Sequence, residues 1–206
     1  MNKRLKFSLR CCRQSYLDDD ICDIHEKIQT FMSSLPEPWR ITFNGSPEVK
    51  LGDLISVCKA SRKGKFSGEA CYTLRKEGYL KDESKYDDYI NLNFLATEDE
   101  LIYFSEHIFP KLITCFNAYR AEVTTFDIAI SDWRHTSKAT REAGKDVYGR
   151  NGIYRVWPIS YYSKELIQTL PSISKINEFH NGYIFKSITS YFNNDVENYG
   201  AKVVSS

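Results

Sequence analysis

Apolar residues recur along this chain at two spacings, and the spacing separates strands from helices. "RLKFSLR", residues 4–10, alternates Leu5, Phe7 and Leu9 with charged or polar partners, the period of a half-buried strand. Asp18, Asp19 and Asp20 come next. They predict a helix start, because a carboxylate there caps orphan N–H groups and meets the positive end of the helix dipole. Ile21, Ile24, Ile28, Phe31, Met32 and Leu35 then fall at helical spacing, and Pro36 and Pro38 end the helix. "WRITFNG" alternates Trp39, Ile41 and Phe43 and predicts a strand that turns at Asn44-Gly45. "DLISVCKA" and "GKFSGEACYTLR" predict two more strands, joined as a hairpin through Lys63-Gly64. "YINLNFLA" predicts a strand with Ile90, Leu92 and Phe94 on one face.

Thr97 and Glu100 carry the spacing of a capping box. The helix they open places Leu101, Phe104, Ile108, Leu112 and Phe116 along one side, with a kink or break expected at Pro110. "AEVTTFDIAISDW" reads as one long strand with Phe126, Ile128 and Ile130 in register. "HTSKATREAGK" reads as a short surface helix or a loop. "NGIYRVWPISYY" predicts a strand that Pro158 confines to an edge or an end. "SKELIQTL" predicts a short helix capped by Ser163, and "NGYIFKSI" a last strand entered through Asn181-Gly182. Strands outnumber helices and hairpin turns are frequent. The expected class is α+β: a mostly antiparallel sheet covered by two main helices, in a single domain over residues 1–206.

Composition agrees with a folded chain. Of 206 residues, 42% are apolar, 14% aromatic and 27% charged, and the net charge is +1. That balance argues against a nucleic-acid binder, which carries a positive excess or a basic stripe. The charges nevertheless cluster. Lys3, Arg4, Lys6, Arg10 and Arg13 form one basic block, and Lys59, Arg62, Lys63 and Lys65 a second. Asp82, Glu83, Asp87 and Asp88 form an acidic block. The six cysteines show neither a CxxC pair nor zinc spacing. No signal peptide opens the sequence, and no stretch approaches the roughly 20 apolar residues of a membrane span. The expectation is a cytoplasmic protein with reduced thiols, no cofactor, no metal, and no membrane or nucleic-acid partner.

Signatures of chemistry are sparse. There is no phosphate-binding glycine loop, no GxSxG elbow and no HExxH. The densest polar stretch is "ISDWRHTSKATREAGKD", residues 130–146. A hydrolase acting on a phosphoester would use His135 as base, Asp132 to orient it and Ser137 as nucleophile, which requires the three to converge. Asp87 and Asp88 offer paired carboxylates for magnesium, but adjacent acids in a charged loop rarely make such a site. A binding reading needs less. Trp133 beside Arg134 offers an aromatic anchor and a cation, the residue types that dominate interface hot spots. The acidic group Asp82, Glu83, Asp87 and Asp88 would meet a basic surface on a partner.

The C-terminal third adds a resemblance. "NGIYRVWPISYYSKELIQTL" leads a strand into a short helix, and "EFHNGYIFKSITSYFNNDVENYGAKV" follows with a His-Asn-Gly turn, a strand and a Phe-Asn-rich stretch. Phe192, Asn193, Asn194, Asp195, Asn198 and Ala201 occupy that stretch. This resembles the closing segment of bacterial immunity proteins that protect against polymorphic or type VI secretion toxins, over about 60 of the 206 residues. The resemblance implies a cytoplasmic α+β protein that binds a cognate toxin and occludes its active site or blocks its activation. It supplies no catalytic residues, because such proteins act by binding. A phage or mobile-element protein that inhibits a host defence component would share the same physics.

Overall fold

The computed structural model describes residues 3–62, 66–80, 83–143, 148–150, 152–168, 177–193 and 195–196. Of His135 and of residues 138–143 it describes the backbone only. Among the described residues eight strands form one antiparallel sheet: β1 (Leu5–Arg13), β2 (Ile55–Arg62), β3 (Phe66–Thr73), β4 (Asp88–Ala96), β5 (Arg120–Thr125), β6 (Ile159–Ser163), β7 (Asn177–Phe179) and β8 (Gly182–Lys186). Their spatial order is β2-β3-β4-β1-β5-β6-β8-β7. The α+β class is therefore as expected.

The helices divide between the two faces. Helix α1 (Ile21–Ser34) starts where Asp20 accepts hydrogen bonds from the N–H groups of Cys22 and Asp23. Helix α2 (Glu98–Tyr103) opens with the full capping box of Thr97 and Glu100. It runs through a π turn at Phe104–Ile108 into α3 (Phe109–Phe116). Pro110 sits in the first turn of α3, where its missing N–H costs nothing, and the π turn before it takes up the expected kink. These helices share one core with one face of the sheet. Phe7 and Leu9 of β1, Ile90, Leu92 and Phe94 of β4, and Ala121 and Val123 of β5 pack with Ile28, Met32, Phe104 and Phe116.

Three expectations need correction, and a fourth in part: the strand predicted over residues 151–162 forms, among the described residues, only at Ile159–Ser163, past Pro158. The "WRITFNG" segment forms no strand: only Asn44 bridges to Lys59, yet Trp39, Ile41 and Phe43 are all buried. Their alternation points them at the core, but no neighbouring strand pairs with them. The long strand predicted over residues 121–133 ends at Thr125, and α4 (Phe126–Ala143) takes over. Phe126, Ile128 and Ile130 alternate as in a strand, but Phe126, Ile130 and Trp133 share a helical face, and the helix wins. The sheet thus carries three long helical stretches rather than two main helices.

The last elements follow the turn chemistry closely. Ser163 caps α5 (Lys164–Ile167) by accepting from the Leu166 N–H, and α6 (Thr189–Phe192) follows β8. The β7–β8 hairpin turns at His180, with φ +52°, and Asn181. Gly182 is required for another reason. A Cβ there would lie 2.2 Å from the carbonyl oxygen of Tyr162 on the neighbouring strand. Within the C-terminal stretch, Asn194, Asn198 and Ala201 lie outside the described residues.

Candidate functional site

Among the described residues the second face of the sheet is covered over only half its width. Above β5, β6 and β8 a smaller core packs Ile153, Val156 and Leu166 on Tyr162 and Phe185. A buried ion pair ties α4 to that cover: Arg155 Nε donates to Asp132 Oδ2 at 2.5 Å and Nη2 to Oδ1 at 2.8 Å. Among the described residues no helix covers β2, β3 and β4 on this face, α4 borders β1, and the face is polar. Strand alternation dictates this, since the residues between Phe7, Leu9 and Cys11 are Ser8 and Arg10, and those between Ile90, Leu92 and Phe94 are Asn91 and Asn93.

Register fixes the rows that cross the open half. One row runs Ser61, Ser67, Asn93, Ser8 and Thr124. The next runs Lys59, Glu69, Asn91, Arg10 and Glu122. Above them lies a cleft of about 640 Å³, bounded on one side by Ala129 of α4, Tyr148 and Trp157. Ligand clefts span roughly 300–1,000 Å³, so this one is large enough to hold a ligand or part of a partner chain.

The charges in the cleft are unevenly satisfied. Glu122 accepts from Arg120 at 2.8 Å and from the Tyr162 hydroxyl at 2.6 Å. Glu69 accepts from Asn91 Nδ2 at 3.3 Å. Arg10 lies with its guanidinium 4.5 Å from the Tyr89 ring centre and makes a long 3.4 Å hydrogen bond to Asn91 Oδ1. Among the described residues Arg10, Lys59 and Lys6 form no ion pair, and Lys6 lies 5.5 Å from the Phe126 ring centre. Burial pushes the Tyr148 hydroxyl at the cleft wall up to about 12. It therefore stays protonated.

The sequence-predicted site residues separate into two groups. Trp133 and Arg134 lie exposed on α4. Trp133 is 62% exposed and Phe126 60% exposed, with half-buried Ile130 between them on the same helical face. Ala129, which bounds the cleft, adjoins this stripe. The acidic block does not form a surface patch. Asp88 is fully buried and accepts from Arg13 at 3.1 Å, from Arg75 Nη1 at 2.7 Å, from Arg75 Nη2, and from the Thr73 N–H at 2.9 Å. Asp87 is buried beside it, held by Arg150 and by the Tyr119 hydroxyl at 2.7 Å. Burial pushes the Asp87 carboxyl above its ordinary range, against the pull of those two donors. Both acids are committed to arginines from distant parts of the chain, so neither is available to a partner. Glu83 is exposed and pairs with Lys85 at 2.8 Å, and Asp82 lies outside the described residues.

Two members of the hydrolase constellation are engaged elsewhere. Asp132 is 2% exposed and fully engaged by Arg155, while the Ser137 hydroxyl donates to the Arg134 carbonyl of its own helix. The His135 side chain lies outside the described residues. Among the described residues no three His, Cys, Asp or Glu side chains group as metal ligands, and no helix is long and apolar enough to cross a membrane.

Sequence reasoning missed the open sheet face. Its signal was present in the alternation of Lys6, Ser8 and Arg10 and of Asn91 and Asn93. Which half would stay uncovered depended on where α4 folded, and α4 itself was misread. Comparison of the chain with protein-family models, with curated proteins and with solved structures finds no match.

Proposed function

We propose that this protein is a cytoplasmic binder that neutralises a protein partner, as an immunity protein neutralises its cognate toxin. The observation that carries the proposal is the stripe of Phe126, Ile130 and Trp133 along α4, with two large apolar side chains more than half exposed beside an open cleft. Single exposed apolar residues need no explanation, but aromatic groups aligned on one helix face and bordering a cleft mark an interaction site. The resemblance of the C-terminal third to immunity proteins supports the toxin as the class of partner.

The test is a pull-down of tagged protein from its native cells, with mass spectrometry of what accompanies it. The expected result is one stoichiometric partner whose toxicity the protein suppresses. Trp133→Ala should reduce that capture by roughly 30-fold or more, the loss of a hot-spot aromatic worth about 2 kcal/mol. Absence of any stoichiometric partner, or capture indifferent to substitution of both Trp133 and Phe126, would overturn the proposal.

A further inference from the structure

The open half of the sheet brings together cations that are far apart in the sequence. Lys6 and Arg10 come from the first basic block and Lys59 from the second, and the register sets all three on one face. None forms an ion pair among the described residues, whereas Glu69 and Glu122 in the same row already accept hydrogen bonds. Among the described residues the face therefore presents three cations without an ion pair, one acid, Glu122, paired with Arg120, and one, Glu69, held by the neutral Asn91 amide. Arg10 is the best organised of the three. Its guanidinium is held near the Tyr89 ring, which restrains the plane of a fork suited to a carboxylate.

We infer that this face receives an acidic segment of a polypeptide, with Arg10 pairing one of its carboxylates and Lys59 or Lys6 pairing another. The inference rests on the protein-binding reading above and names the chemistry of the partner. Spacing supports a chain rather than a single small anion. Lys6 and Arg10 are four residues apart on β1, about 13 Å, and Lys59 lies three strands from Arg10, about 14 Å. Carboxylates four residues apart on an extended peptide span the same distance. A row of serine, threonine and asparagine side chains between the cations offers donors and acceptors to peptide groups. The apolar stripe on α4 borders the cleft and would take apolar side chains from the same segment. A nucleic-acid backbone is a poorer fit, because it carries a charge at every nucleotide, far denser than three cations about 13–14 Å apart.

The experiment is selection of random linear peptides displayed on phage against the intact protein, followed by affinity measurement by fluorescence anisotropy. The expected winners carry at least two Asp or Glu residues together with an aromatic or large aliphatic residue. Their affinity should fall at least tenfold in Arg10→Gln, less in Arg10→Lys, and should weaken as salt rises from 50 to 300 mM. Inorganic phosphate and acetate at the same ionic strength should compete no better than chloride. Thermal melts of both variants should match the parent, since Arg10 is exposed and makes no ion pair. Selection of neutral or basic peptides, no selection at all, or acidic peptides that bind Arg10→Gln as well as the parent would overturn the inference. A partner captured from cells equally well by Arg10→Gln, but lost with Trp133→Ala, would leave the binding reading standing and refute its acidic chemistry.

Discussion

Asp88→Asn should be among the most damaging single-atom changes this protein can suffer. The side chain is fully buried and receives four donors: the Thr73 N–H, Arg13 and both terminal nitrogens of Arg75. The amide oxygen of asparagine can keep the donors now at Oδ1, Thr73 N–H and Arg75 Nη1. The amide NH₂ must then face Arg13 Nη1 and Arg75 Nη2, so donor meets donor and two buried cations lose the charge that balances them. Asp19 remains to hold them, through Arg13 at 2.8 Å and Arg75 at 3.2 Å, but it is the more exposed of the two acids. Breaking a buried pair from one side costs about 3–5 kcal/mol. For a chain of this length each kilocalorie lowers the melting temperature by roughly 2–4 °C, so the expected fall is about 6–20 °C. Urea unfolding followed by tryptophan fluorescence, paired with calorimetry, reads both quantities. A loss below about 1 kcal/mol would refute the argument, because it would mean that the arginines are already solvated or that Asp19 alone satisfies them.

Other outcomes follow from single sites. Gly182→Ala should destabilise by about 3 kcal/mol or prevent folding, since its Cβ would stand 2.2 Å from a backbone oxygen that cannot move without breaking the β6–β8 ladder; a melting curve within 3 °C of the parent would contradict this. Burial lowers the His25 imidazole below its ordinary 6.5, where its Nδ1 lies 2.9 Å from the Tyr72 hydroxyl. The unfolded chain therefore binds the proton first, and stability should fall as pH drops below about 6.5. His25→Gln should flatten that dependence between pH 7 and 5, and an NMR titration should place the His25 midpoint below 6.5. Trp133→Ala should change stability by less than about 0.5 kcal/mol, because the side chain is mostly in solvent, so that any loss of partner capture reports binding rather than unfolding.

How far the sequence reveals the structure depends on how local the deciding interaction is. The Asp20 cap, the Thr97–Glu100 box and the alternation in β1 and β4 are settled within a few residues, and each element formed where its pattern placed it. Residues 126–133 satisfied two periods at once. Alternating Phe126, Ile128 and Ile130 suggest a strand, whereas Phe126, Ile130 and Trp133 suggest a helix, and nothing within the window decides between them. "WRITFNG" buried the residues that alternation selected, but pairing needs a neighbour and none stands beside it. Asp87 and Asp88 were misplaced for the same reason. Two adjacent acids in a charged segment look solvated until Arg13, Arg75 and Arg150 are known to converge on them. The site was legible in its parts, Trp133 and Arg134 on one side and the two basic blocks on the other. Their meeting on one face belongs to the register.

The position of β1 at the centre of the sheet has a consequence for synthesis. It leaves the ribosome well before both of its neighbours: Phe7 pairs with Phe94 on one side and with Thr125 on the other. The β2–β3 hairpin closes from local chain, while the central strand waits with both edges bare. Long-range pairing of this kind slows folding, and an unpaired apolar strand invites association with other chains. Arg4, Lys6 and Arg10 alternate with its apolar residues, and repulsion between such strands on neighbouring nascent chains opposes that association. Arg10 thus protects the strand before it has a sheet to join and lines the cleft once it does.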